Sequence, residues 1–201
     1  MSDYMEEFRK NFIDGYLDDI IRVLKEIKAN NSDFFDKLAT IFLDARADNR
    51  KIFFCGNGGS ASTASHFTSD LAKGTIVDGA PRFKALSLAD NIPQMLAWGN
   101  DSCYEDIFVE QLKNLFEPGD VVVGISGSGN SGNVLRAIKY ASENDGITVG
   151  ITGFDGGKIK NMTDLCLIVP VHNMQKTEDI HMLVDHLTTL MIKEEELARR
   201  G

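Results

Sequence analysis

Asp120-Val121-Val122-Val123-Gly124-Ile125-Ser126-Gly127-Ser128-Gly129-Asn130-Ser131 joins an unbroken apolar run to an alternation of serine and glycine. The apolar half is too short for a helix and has no polar face, so it reads as a strand buried on both sides. The polar half cannot continue that strand: its glycines free the backbone to turn, and its hydroxyls seek partners. From Asn133 to Glu143 the apolar residues return at helical spacing. Strand, glycine–serine loop and helix in this order make one unit of a parallel sheet.

The same order occurs upstream. Lys51-Ile52-Phe53-Phe54-Cys55 is a short apolar run, Gly56-Asn57-Gly58-Gly59-Ser60 a turn, and a helix is predicted from there through Leu71. Further strands are expected at Phe83–Leu88, Ile147–Thr152 and Leu165–Val169, with helical segments around Pro93–Trp98 and Tyr104–Leu115 and a closing helix over Thr177–Ala198. The fold class expected is α/β, a doubly wound, flavodoxin-like parallel sheet in a three-layer sandwich. Two helices precede any strand. The first carries Phe8, Phe12, Tyr16, Ile20, Val23 and Ile27 every three or four positions, and the second follows the Asn31-Ser32-Asp33 caps to about Ala47. They are expected to pack outside the sheet unit or against another subunit. One domain, 1–201, is expected, with 1–48 serving assembly and 49–201 forming the sheet unit and last helix.

Composition narrows the function. A hydrophobic fraction of 43% and a charged fraction of 25% are ordinary for a soluble domain. No stretch approaches the ~20 apolar residues of a membrane span, and MSDYMEEFRK is too polar and acidic for a signal peptide. The formal charge of −9 disfavours nucleic acid and anionic membrane as partners. Cys55, Cys103 and Cys166 are odd in number and lack CxxC spacing, so buried free thiols and a reducing, cytoplasmic setting are expected.

In parallel sheets ligands bind beyond the carboxyl ends of the strands, where both loops lie. Helix N-termini offer free N–H groups to an anion, and Ser60, Ser126, Ser128 and Ser131 add hydroxyls. That set suits a phosphate monoester without any lysine. Nucleotide readings fail: Gly124 to Gly129 is not GxGxxG, and Gly153-Phe154-Asp155-Gly156-Gly157-Lys158 is followed by Ile159 instead of a hydroxyl for magnesium. The four histidines are His66, His172, His181 and His186. His66 and Asp70 are one helical turn apart and share a face.

The pairing of CGNGGSA with GISGSGNSGNVL, with WGND between them, resembles the SIS (sugar isomerase) domain family and within it the phosphoheptose isomerase branch. The resemblance covers nearly the whole chain, including the leading helices and ITGFDGGKI. It implies phosphate binding by Ser60, Ser126, Ser128 and Ser131, with substrate contacts from Asn57, Gly58, Asn100, Asp101, Gly127 and Glu178. It also implies a homotetramer with active sites at subunit boundaries. The family has histidine and glutamate where this chain has His66 and Asp70, the latter one methylene shorter. It has glutamine where Glu178 stands, and its second functional histidine matches His186; His172 and His181 are read as structural. The resemblance implies zinc, or another divalent metal, on His66, Asp70, Glu178 and His186. Glu178 and His186 reach one ion only if Glu178 lies on an entering turn, because eight helical residues span ~12 Å. The activity implied is aldose–ketose isomerisation of a phosphosugar, sedoheptulose 7-phosphate to D-glycero-heptose 7-phosphate, through an enediolate with Asp70 and His186 as acid and base. The alternatives are an isomerase of another phosphosugar and a non-catalytic phosphosugar-binding regulator of the type that associates with the initiator DnaA.

Overall fold

A computed structural model describes residues 2–200. The chain divides into two compact units, 1–32 and 33–201. The first is the single helix α1, Ser2–Asn30. Phe8, Phe12, Ile13, Leu17 and Ile21 stand exposed along it, and the Phe8 and Phe12 rings stack at 6.3 Å.

The second unit runs α2 (Ser32–Ala47), β1 (Lys51–Cys55), α3 (Gly59–Ser69), β2 (Lys84–Ser87), α4 (Ile92–Asp101), α5 (Val109–Leu115), β3 (Val121–Ser126), α6 (Gly132–Glu143), β4 (Ile147–Gly153), β5 (Leu165–Val169) and α7 (Met174–Arg200). All pairings are parallel, in the order β2-β1-β3-β4-β5. This is the flavodoxin-like order, and its reversal point falls between β1 and β3.

Adjacent residues of β1 serve opposite layers. Phe53 joins Val122 of β3 and Val134, Ala137 and Ile138 of α6 in one core. Phe54 turns the other way, its ring 4.8 Å from that of Phe67 in α3 and 6.0 Å from that of Phe42 in α2. The helix α2, expected outside the sheet unit, therefore packs on it, with Phe34, Phe35, Leu38 and Phe42 all buried. Its apolar stripe is complementary to the β1–α3 face, and burying such rings stabilises by about 1.5–3 kcal/mol each. Every residue of β3 is buried, as its unbroken apolar run requires.

Strand limits match the sequence reading to within a residue, and most helices run one to three residues beyond it. Tyr104–Leu115 is the exception: a 3-10 turn at Tyr104–Asp106 precedes α5. Cys55 is buried, and burial pushes its thiol up to about 12. Cys103 and Cys166, expected to be buried, are only partly so.

Candidate functional site

The loops after β1 and β3 leave the sheet at the reversal point, one feeding α3 and the other α6. The first loop can form only because Gly58 adopts φ 54°, ψ −121°, a conformation that L side chains rarely enter. Neither α3 nor α6 begins with a side-chain cap. Ser131 occupies the cap position of α6, but its hydroxyl is turned to that of Ser126 at 3.0 Å.

One pocket is lined by both loops: Asn57, Gly58 and Ser60 from the first, and Ser126, Gly127, Ser128 and Ser131 from the second. The four predicted phosphate serines thus converge. The start of α7 adds Met174 and Glu178, and Glu178 is the one ionisable side chain in the lining. Its carboxylate lies over the first loop so closely that a Cβ on Gly59 would be 2.4 Å from Glu178 Oε1. A Cβ on Gly127 would likewise meet Met174 Sδ at 2.4 Å, so glycine there lets α7 close over the second loop.

Two residues missed in the sequence lock the loops together. Asn133, buried in the first turn of α6, exchanges side-chain hydrogen bonds with Asn57: Asn57 Nδ2 donates to Asn133 Oδ1 at 2.9 Å and Asn133 Nδ2 to Asn57 Oδ1 at 2.8 Å. The Tyr104 hydroxyl donates to the same Asn57 oxygen at 2.8 Å. Asn57 is therefore largely spent on holding the crevice. The signal available in sequence was an amide two residues beyond Ser131, too common in helix starts to stand out. Asn100 borders a neighbouring, mostly apolar hollow with Asn57 and Tyr104. Asp101 lies exposed at the end of α4, accepting from Asn100 Nδ2 at 2.8 Å, outside the hollow that the loops line.

A second cluster forms where α3 passes α7. Past Ser69 the α-helix widens into a π turn, Asp70–Gly74, closed by Thr75 N–H donating to Asp70 C=O at 3.1 Å. Such π turns recur at functional sites. Asp70 Oδ2 stands 3.6 Å from His66 Nε2, which faces His186 Nε2 at 3.1 Å. Asp185, unremarked in the sequence, joins them: one ligand atom from each of His66, Asp70, Asp185 and His186 lies within 4.8 Å of the others. Asp185 is 0% exposed, and neither carboxylate oxygen has a hydrogen-bond partner among the described residues. Burial, reinforced by the charge of Asp70, pushes its carboxyl up to about 8.

Within one chain Glu178 stands apart from that cluster. The helix α7 is continuous from Met174, so Glu178 and His186 are separated by the ~12 Å rise of regular helix. The donors that remain fit a divalent metal. Two imidazoles and two carboxylates are a common set, and a buried carboxylate without a partner calls for a cation. The cluster borders a hollow lined by Asp70, Gly74, His186, Thr189, Leu190 and Lys193. It shares no lining residue with the loop pocket.

Comparison with known proteins assigns the chain to a family. The model of the SIS domain matches residues 15–153, which makes the protein one of the sugar-isomerase-domain class. A phosphoheptose isomerase of Akkermansia muciniphila is 34% identical over 95% of this chain and 98% of its own length. One of Nitratidesulfovibrio vulgaris is 40% identical over 78% of this chain and 75% of its own. The structure of a phosphoheptose isomerase from Neisseria gonorrhoeae superposes with a TM-score of 0.85 at 32% identity, covering 92% of this chain and 98% of the other. Within the SIS-domain class, the chain belongs to the phosphoheptose isomerase family.

Proposed function

We propose that this chain is an aldose–ketose isomerase that interconverts sedoheptulose 7-phosphate and D-glycero-heptose 7-phosphate. The observation that carries this reading is the convergence of Ser60, Ser126, Ser128 and Ser131 in one pocket at the β1/β3 reversal point. Membership of the phosphoheptose isomerase family supports the choice of a seven-carbon sugar.

The serine hydroxyls and loop amides hold the phosphate and so fix where the carbonyl end of the sugar lies. Glu178, in the same pocket, accepts hydrogen bonds from sugar hydroxyls. Asp70 and His186 are the groups we assign to proton transfer: one removes the proton on the carbon beside the carbonyl, and the other returns a proton to its neighbour through an enediolate. Zinc is the cofactor we assign, held by His66, Asp70 and His186; when bound it would polarise the sugar oxygens.

The separation of this cluster from the loop pocket favours assembly. Leu187 and Leu190 stand exposed on α7 beside His186, and α1 carries its own exposed apolar row. Apolar surface of this kind marks an interface. A homotetramer that brings the Asp70–His186 pair of one copy over the loops of another completes the site. The free thiols favour a cytoplasmic setting. Among the described residues no helix is long and apolar enough to cross a membrane.

The reading is tested by NMR on a panel of pentose, hexose and heptose phosphates, with and without zinc. Interconversion of the heptose pair in preference to the others is expected. A protein that turned over only a shorter phosphosugar would replace the substrate assigned here.

A further inference from the structure

We propose that Asp185 is a ligand of the divalent cation held by His66, Asp70 and His186. The inference rests on the metal reading above and extends it to a residue outside the expected set.

The geometry is one-sided. The Asp185 carboxylate is fully buried, neither oxygen has a hydrogen-bond donor, and it lies within the 4.8 Å cluster. An ionised carboxylate taken out of water costs several kcal/mol unless a cation or donors compensate it. Among the described residues no donor reaches it, whereas two imidazole nitrogens and a second carboxylate converge beside it. With ligand bonds of ~2.0–2.2 Å, tetrahedral ligand atoms stand ~3.3–3.6 Å apart. The His66–His186 nitrogen separation of 3.1 Å is already close to such an edge, so small side-chain rotations suffice for the rest. Charge closes as well: two carboxylates and two neutral imidazoles neutralise a divalent ion. Asp70, a methylene shorter than glutamate, reaches less far, and Asp185 lies directly before His186 on the buried side of α7.

The test is zinc titration by calorimetry on the full chain without substrate, comparing wild type, Asp185→Asn and Asp185→Ser. Asp185→Asn should weaken zinc binding at least about tenfold, and Asp185→Ser, which leaves neither carboxylate nor amide, at least as much. Thermal melts give a second readout. Stripped of metal, Asp185→Asn should melt no lower than wild type, because it removes a buried carboxylate, and added zinc should raise its Tm much less. Wild-type zinc affinity in either variant would overturn the assignment. A wild-type chain that binds neither zinc, manganese nor cobalt would remove the site altogether. Because no arm measures turnover, a failed isomerase reading and a failed ligand assignment remain distinguishable.

Discussion

His66 and His186, 120 residues apart in sequence, face each other nitrogen to nitrogen at 3.1 Å. The contact brings the helix that follows the first glycine-rich loop against the last helix of the chain. Two protonated imidazoles could not share this distance, so the pair suits either one shared proton or a cation taking both lone pairs. On the second reading, zinc at about 100 times its Kd should add about 2.7 kcal/mol to folding stability. His66→Ala should abolish that gain, and a chelator should reverse it in wild type. Equal zinc stabilisation of His66→Ala in thermal melts would exclude the pair as ligands.

The two serine loops should act on ground-state binding. Ser128→Ala and Ser131→Ala are each expected to weaken phosphosugar binding by about 1.5–3 kcal/mol, the range for hydrogen bonds to a charged group. Ser126 and Ser131 are bonded to each other, so their losses should not add. Calorimetric titration of the singles and the double measures the coupling. Additive losses would mean that the hydroxyls reach the phosphate independently.

Gly59→Ala places a methyl against the Glu178 carboxylate, which lies 2.4 Å from that Cβ position. The obstacle is the end of a flexible side chain, so Glu178 swings away and the fold survives. Phosphate affinity should persist while turnover falls, a kcat loss that separates sugar orientation from phosphate binding. Unchanged kcat in Gly59→Ala would show that the position of Glu178 is immaterial.

His181 is 0% exposed on the inner side of α7, and burial holds its imidazole down to about 4 despite an opposing contribution from the Thr152 backbone. A folded value below the unfolded ~6.5 means that the unfolded chain binds the extra proton. Stability from this group is complete above about pH 6.5 and is lost as pH falls toward 4, by roughly 3 kcal/mol in total. Urea unfolding across that window should show the slope, and His181→Gln should flatten it.

Much of this was legible because the sheet is buried on both faces. Strands such as Lys51–Cys55 and Leu165–Val169 are uninterrupted apolar runs whose ends are marked by glycine or by a change of polarity. The four serines were legible for the same reason, since loops directly after central strands have one place to go. The metal cluster was not. Asp185 lies on the side of α7 that also buries Thr177, His181 and Thr188, so the polar residues that ordinarily mark a solvent face here mark the inner one. Glu178 lies in the regular helix that runs from Met174, so within one chain it does not reach the cluster around His186. The widening at Asp70 has no signature in the residues His66–Gly74.

The central claim is that proton transfer at the carbon beside the carbonyl occurs in this protein and depends on Asp70 and His186. The direct measurement is deuterium incorporation into sedoheptulose 7-phosphate in heavy water, followed by NMR with zinc present. Wild type should exchange that position, and Asp70→Asn and His186→Ala should slow exchange by ~10²–10⁴ while still binding the phosphosugar. A wild-type protein that binds the sugar phosphate yet exchanges no deuterium with any phosphosugar tried would contradict the account and leave a binding protein in its place.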